Sequence, residues 1–242
     1  MTEEYLKRLE EIKHILNTVK SLETINDNFE RSDFENSLFD FFENQTNSSL
    51  GFREYINISK SSMQVMVYNL IESTVTSLIQ NIYDVIADLN IEYNDISEVL
   101  KELWLEIKFK DAYQTDSSYN SYKKRAKFLI SEIINQNSVD FNCKKIPGMN
   151  GNLDSNVVRT IYQKHGIVYS SDSKANKERG ILSSIKKARN DLAHGNISFL
   201  ENGRSISLTE FENNLSEIEI YLSDLTHAVE NYISNELYRK CE

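Results

Sequence analysis

Apolar residues recur at spacings of three and four from the start of the chain: Leu6, Leu9, Ile12, Leu16, Val19, Leu22 and Ile25. That period sets one apolar stripe along an amphipathic helix. A polar segment from Asn44 to Gly51 interrupts it. A second, longer helix is predicted from about Ser61 to Leu89, with Met63, Val67, Leu70, Ile71, Val75, Leu78, Ile82 and Val85 turned inward. Asp95 followed by Glu98 resembles a capping box opening a helix through Phe109, and Tyr122 to Ile134 reads as another. Asn135 to Asn152 holds Pro147, Gly148 and Gly151 and is the clearest loop or hinge. Beyond it a short helix runs from Asp154 to His165 and stops at Gly166. Ser170 to Asn176 is a polar connection into the next helix, which ends at His194-Gly195. Glycine suits the left-handed position beyond a helix C-terminus, so His194 is expected in the last turn. Thr209 with Glu212 makes a further capping box. Phe211, Leu215, Ile218, Leu222, Leu225, Val229 and Tyr232 then alternate by four and three along one broad face, the mark of a helix in a bundle.

Composition agrees with an all-α chain. One Pro and seven Gly among 242 residues fall far below the combined average of about 12%, and sheets need the turns those residues make. A chain of this length can bury one substantial core or two small ones. No apolar run approaches the roughly 18–20 residues a membrane span requires, so no membrane partner is expected. The start, Met1-Thr2-Glu3-Glu4, lacks the basic and apolar stretches of a signal peptide, and a cytoplasmic location is expected. Cys143 and Cys241 are distant thiols, and His14, His165, His194 and His227 are scattered. Neither a disulfide framework nor a metal site is readable, and no cofactor is implied.

Charge adds a local exception to the general picture. The net charge of −10 argues against a general nucleic-acid coat, which must neutralise phosphates with Lys and Arg. From Lys174 to Asn190, however, Lys174, Lys177, Arg179, Lys186, Lys187 and Arg189 face only Glu178, a local balance of +5. Such a run forms either a solvated helix face or a phosphate-binding surface. At its end, Arg189 stands five residues before His194. An arginine fork can hold a phosphate, and a nearby imidazole can move a proton near neutral pH, so the pair suggests phosphodiester chemistry.

The segment Arg189-Asn190-Asp191-Leu192-Ala193-His194-Gly195 resembles the RNxxAHG form of the Arg-x4-6-His motif of the HEPN superfamily, the higher eukaryote and prokaryote nucleotide-binding helical domains. The helix after it suits that layout. Tyr68-Asn69-Leu70-Ile71-Glu72-Ser73 looks like the early long helix of the fold. Gly151-Asn152-Leu153-Asp154 to Gly166 looks like a segment preceding the motif in a prokaryotic branch called MAE-like. The resemblance covers roughly residues 60 to 235 and is specific only in the motif. It implies a HEPN-like up-and-down helical bundle over residues 51–242, with an additional helical segment over 1–50. It also implies a metal-independent endoribonuclease, commonly a homodimer with two facing motifs, in toxin–antitoxin or phage-defence systems with a neutralising partner. The branch regulated through a tyrosine four residues after the histidine is departed from, because Ser198 stands there.

The chemistry can be argued from the side chains as well. At 3.6 residues per turn, residues four apart lie about 40° from each other and residues five apart about 140°. Asn190 and His194 thus share a face, and Arg189 must swing its long side chain to meet a phosphate between them. RNA carries its own nucleophile in the 2′-hydroxyl. A protein then needs to remove that proton, stabilise negative charge on phosphorus and protonate the leaving 5′-oxygen, tasks that fit His194 and Arg189. A helix C-terminus also favours positive charge, which would help a general acid.

Each residue has a plainer alternative. His194 can simply cap its helix, and Asn190 either positions ribose or phosphate or satisfies backbone groups. Asp191 is either solvated or paired with Lys187 one turn earlier. Glu72, a carboxylate on the apolar stripe of Tyr68, Val75 and Ile79, either orients Arg189 or points out at the bundle's edge. The 13 tyrosines fit core and interface positions better than base-stacking platforms. The favoured function is RNA cleavage, with Arg189, His194 and Asn190 catalytic, Glu72 supporting, and Lys186, Lys187, Arg179 and Lys177 holding RNA. The alternative is a catalytically silent module that binds a nucleotide, RNA or a protein partner.

Overall fold

The computed structural model describes residues 2–28, 30, 32–45, 50–110, 119–135, 137–143, 146 and 151–240. Among them the chain is all-α, with helices α1 (Glu3–Asp27), α2 (Asp33–Asp40), α3 (Phe52–Asp88), α4 (Glu98–Lys110), α5 (Tyr119–Ile134), α6 (Ser155–Lys164), α7 (Ile181–Ala193), α8 (Phe199–Arg204) and α9 (Leu208–Ser234). The only β-type pairings among these residues are the isolated bridges Glu92–Ser138 and Ile96–Arg239. No helix among them is long and apolar enough to cross a membrane. Pro147 and Gly148, the centre of the expected hinge, lie outside the described residues, as does Cys241. The chain divides into two compact units, one of residues 1–71 and 173–221, the other of 72–172 and 222–242, so the division cuts through α3 and α9.

In the first unit α1 buries Tyr5, Leu9, Ile12, Leu16 and Val19. Leu6, expected on that stripe, is 55% exposed. The four-three rhythm runs through Tyr5 instead, and Leu6 sits one position, about 100°, around the helix. Thr2 caps this helix through its side chain, which accepts from the Tyr5 amide. Lys13 pairs with Glu219 and Lys20 with Glu212, at 2.8 and 2.5 Å, between α1 and α9. Such exposed pairs contribute little next to the apolar face they border. Helix α2, opened by a Ser32–Glu35 capping box, and the π-helical turn Phe41–Gln45 lie between α1 and α3.

Helix α3 begins at Phe52, nine residues before the start near Ser61 that its apolar stripe predicts. Its start is fixed by partners from outside the helix: the Phe52 amide donates to Glu43 Oε1 at 3.0 Å, and the Phe52 ring is fully buried against Phe39 and Phe42. Two cap assignments also shift. Ser97, not Asp95, caps α4, its Oγ accepting from the Leu100 amide at 3.4 Å, and Ser207 rather than Thr209 stands before α9, accepting from Glu210. In both cases a serine at the chain's turning point is nearer the orphan amides than the residue the spacing favours.

Helix α8, which the apolar pattern does not predict, is held tightly on α3. Ser198 and Glu201 form its capping box. The side-chain amide of buried Asn202 donates to Ser61 Oγ at 3.0 Å and to Gln64 Oε1 at 2.8 Å, and Ser61 Oγ in turn donates to the Phe199 carbonyl. A Cβ on Gly203 would lie 1.8 Å from the Asn57 carbonyl oxygen, so the two backbones meet where only glycine fits.

The second unit contains α4, α5, α6 and the remaining parts of α3 and α9. It is organised around His165, which is fully buried. Its Nδ1 lies 2.6 Å from the Ile161 carbonyl and its Nε2 2.7 Å from the Tyr83 hydroxyl, while Tyr232 donates to the His165 carbonyl at 2.7 Å. Nδ1 has only a carbonyl to face and must carry the proton, so Nε2 accepts from Tyr83. Burial pushes the imidazole down to about 4, with Lys164 acting in the same direction and the Ile161 carbonyl opposing. Burial also drives the Cys143 thiol up to about 12.

Two outcomes follow for stability. Gly203→Ala should destabilise the protein by about 2–4 kcal/mol in urea unfolding, because neither backbone can retreat without breaking the Asn202 bonds. The His165 effect has a definite sign. The unfolded imidazole takes a proton near pH 6.5 and the folded one only near 4, so stability is lost as pH falls through that window. By pH 5 the loss from this group should reach about 2 kcal/mol. Urea unfolding at pH 7 and pH 5 should show a drop larger by about that amount in wild type than in His165→Gln.

Candidate active site

The motif lies on α7 and the turn after it, within the first unit. The helix is entered through a short 3-10 turn, Lys174–Asn176, whose cap Ser173 is buried and donates to the Glu217 carbonyl at 2.6 Å. Glu217 Oε2 accepts from the Lys174 amide at 2.8 Å, and that bond, together with Ser173 and the Lys174 ammonium, holds the carboxyl below its usual range. Helix α7 buries Leu182, Ile185 and Leu192; Arg189, four residues after Ile185 and three before Leu192, falls on that same stripe, whereas Asn190 and His194 lie to one side of it.

His194 is the C-cap residue, still in right-handed helical conformation, and its amide donates to the Asn190 carbonyl at 2.9 Å. Gly195 follows at φ +71°, and the amides of Gly195 and Asn196 reach back to the carbonyls of Leu192 and Asp191. This is the left-handed stop expected of a glycine past a helix end. The His194 side chain is exposed. Asp191 is occupied by the turn itself: Lys187 Nζ approaches it at 2.5 Å and Asn196 Nδ2 at 3.3 Å. The Lys187 and Asn196 hydrogen bonds lower its carboxyl below the usual range.

Arg189 is half-buried and does not extend freely from the helix. One of its guanidinium nitrogens donates to Asn190 Oδ1 at 3.0 Å, and the group stacks on the ring of buried Tyr68 of α3, 4.9 Å from its centroid. A guanidinium over an aromatic face gains about 0.5–2 kcal/mol, more when desolvated. Arg189 and Asn190 are therefore brought together by a direct bond between neighbours. The periodicity of α3 places Tyr68 in the core stripe, and no sequence pattern links that ring to a cation so far along the chain. Glu72 is half-buried and falls in the second unit, where its carbonyl accepts from Thr76 Oγ1 at 2.7 Å.

The basic residues do not form one cluster. Lys186, half-buried, and Lys187, exposed, share the second half of α7 with Arg189, whereas Lys177 and Arg179 precede its first turn. A 13-residue helix spans about 20 Å, so positive charge is spread along α7 from end to end. Among the described residues no group of three or more His, Cys, Asp and Glu side chains is placed to hold a metal ion.

A family model described as MAE_28990-like HEPN matches residues 1–238. The chain belongs to this HEPN family. The match takes in α1 and α2, well before the residues on which the sequence resemblance rests. No curated protein and no solved structure matches the chain.

The Tyr68–Arg189 stack should be measurable as a coupling. In a double-mutant cycle of Tyr68→Leu and Arg189→Ala, read by urea unfolding, the two changes should fail to add by about 0.5–2 kcal/mol. Strict additivity would mean that the ring does not hold the guanidinium.

Proposed function

We propose that this HEPN protein is an endoribonuclease, with Arg189 and His194 as the catalytic pair and Asn190 as the residue that fixes the arginine. The observation that carries the reading is the contrast between the two side chains. Arg189 is held by Tyr68 and Asn190 in one position, and His194 is exposed at the cap of the same helix. A preorganised cation stabilises charge developing on a phosphate without reorganising during the reaction, and an exposed imidazole can exchange protons with a bound chain.

The reaction uses the nucleophile within RNA. A base removes the 2′-hydroxyl proton, the 2′-oxygen bonds to the adjacent phosphorus, and the bond from phosphorus to the 5′-oxygen breaks. The leaving oxygen takes a proton. The products are a 2′,3′-cyclic phosphate and a 5′-hydroxyl. Arg189 supports the extra negative charge on the non-bridging oxygens, where the planar fork of arginine is better suited than the point charge of lysine. One His194 can serve as base or acid but not as both at once. A homodimer with the motif beside its twofold axis would supply the second imidazole from an identical chain. It would also double the basic α7 around one cleft, concentrating positive potential in a chain of net charge −10. The setting we propose is a toxin or phage-defence system with a neutralising partner.

His194→Ala and Arg189→Ala should each abolish cleavage of an RNA pool by the purified protein. His194, being exposed, should leave the melting temperature nearly unchanged on replacement. Arg189→Lys should remain at least tenfold impaired, because it loses the bidentate fork. Cleavage should persist in excess chelator, leave cyclic phosphate ends and spare an all-DNA substrate. Full activity in both alanine variants would overturn the catalytic assignment. A protein that sediments as a monomer at concentrations where it cleaves RNA would overturn the shared site.

A further inference from the structure

A cavity of about 580 Å³ opens in the first unit where the end of α1, the first turns of α3 and the end of α8 come together. Ile56 is the only apolar side chain among the described residues that line it. Small-ligand pockets of this size ordinarily have a mostly apolar lining with a few polar groups, so this one suits a ligand that is itself polar. Its formal charges balance. Arg53, Lys60 and Arg204 stand against Glu23, Asp27 and Glu54.

The α3 wall holds donors that the fold leaves unused. Arg53, Asn57 and Lys60, four and three residues apart, share one face of the helix. Asn57 is 8% exposed and Lys60 7%, between turns that bury Ile56 and Met63. Among the described residues the Asn57 side-chain amide has no hydrogen-bond partner, yet it is not sealed from solvent, so it opens on the cavity. The Lys60 ammonium carries three donors, of which Glu23 takes one. A buried amide or ammonium with bonds left unmade destabilises a fold, so these groups call for a use outside it. Arg53 and Arg204, both exposed, complete the set. Among the described residues neither guanidinium makes a hydrogen bond or an ion pair.

The α1 wall calls for the opposite charge. Its last turn holds no basic residue, and Glu23 and Asp27 add negative charge to a helix end that is already negative. Lys60 answers Glu23. Asp27 has only the neutral side-chain amide of Asn26, at 3.0 Å, among the described residues. Glu54 is engaged at the start of α3, where it accepts from the Gly51 amide at 3.2 Å. A simple anion is drawn to the arginines and repelled by Asp27 and Glu54, whereas a ligand with a carboxylate at one end and an ammonium at the other satisfies both walls.

We infer that this cavity binds a free α-amino acid as its zwitterion. The carboxylate lies against Arg53, Asn57 and Lys60, with Arg204 closing over it from α8, and the ammonium lies against Asp27 at the carbonyl end of α1. A polar side chain fits the remaining space, since Ile56 alone offers apolar contact. The bound molecule ties α1, α3 and α8 to one another. This site is independent of the ribonuclease reading.

The test is binding of the common L-amino acids to the full chain, screened by thermal shift and titrated by calorimetry, with inorganic phosphate as a plain anion. At least one amino acid should bind and raise the melting temperature, with polar ones ahead of leucine and phenylalanine. The N-acetyl and carboxamide derivatives of the best binder each lack one charge and should bind about tenfold more weakly or worse. Arg204→Gln and Asp27→Asn should each weaken binding by a similar factor. Asp27→Asn should do so while the free protein keeps or gains stability, because it removes a negative charge from a helix C-terminus. His194→Ala should bind as wild type does. Absence of binding by every amino acid, equal affinity for the N-acetyl form, or unchanged affinity in either Arg204→Gln or Asp27→Asn overturns the site. Tighter binding of phosphate than of any amino acid would overturn the zwitterion.

Discussion

The approach of α8 to α3 is the constraint on which the geometry of the first unit depends. Six residues of helix would contribute little by themselves, since an isolated helix so short has no stability in water. Helix α8 exists because its backbone can come close enough to α3 for Gly203 to lie against the Asn57 carbonyl, and because Asn202 then reaches Ser61 and Gln64. Glycine alone permits the first contact, and a satisfied buried amide makes the second specific. Together they anchor the chain just after the motif turn and just before α9. His194 and Gly195 are tied on one side to α7 and on the other to α3 through this clamp. The same side-chain amide also orients Gln64.

Arg189 illustrates what such support achieves. An arginine on a free helix face explores many rotamers and loses that freedom when it meets a ligand. Here the Tyr68 ring and the Asn190 amide have already restricted it. Its neighbours are assigned to different tasks. Asp191 is occupied by Lys187 and Asn196, and Lys174 by Glu217, so several charges of the basic stretch serve the local fold rather than a ligand. Positive potential along α7 is therefore smaller than a count of cations suggests, and it is distributed over some 20 Å.

The second unit is stabilised by a different device. His165 is buried with both ring nitrogens and its carbonyl engaged, by Ile161, Tyr83 and Tyr232. Fully satisfied buried polar groups specify a single arrangement more sharply than apolar contacts of the same size. The consequence is acid sensitivity, because protonating Nε2 would set a second donor against the Tyr83 hydroxyl and place a charge in a buried site.

Periodicity determined the helices wherever an apolar stripe was long. The α9 residues Phe211, Leu215, Ile218, Leu222, Leu225, Val229 and Tyr232 are buried as their spacing requires, and α1 departs by exchanging Leu6 for Tyr5 and by leaving Leu22 and Ile25 half-buried. Gly195 likewise announced its own conformation, since a glycine past a helix end needs no distant partner. The pairing of Asp191 with Lys187 was legible for the same reason, both residues lying on one helix a turn apart. What the sequence could not determine is whatever joins segments far apart along the chain. The start of α3 depends on Glu43 and an aromatic cluster, and α8 on a backbone contact with Asn57. The hold on Arg189 depends on Tyr68, which periodicity assigns to the core. Local patterns encode the conformation of a segment and the face it buries. Which side chains then meet across those faces is decided by packing, where a single close approach permitted by glycine can place a whole turn.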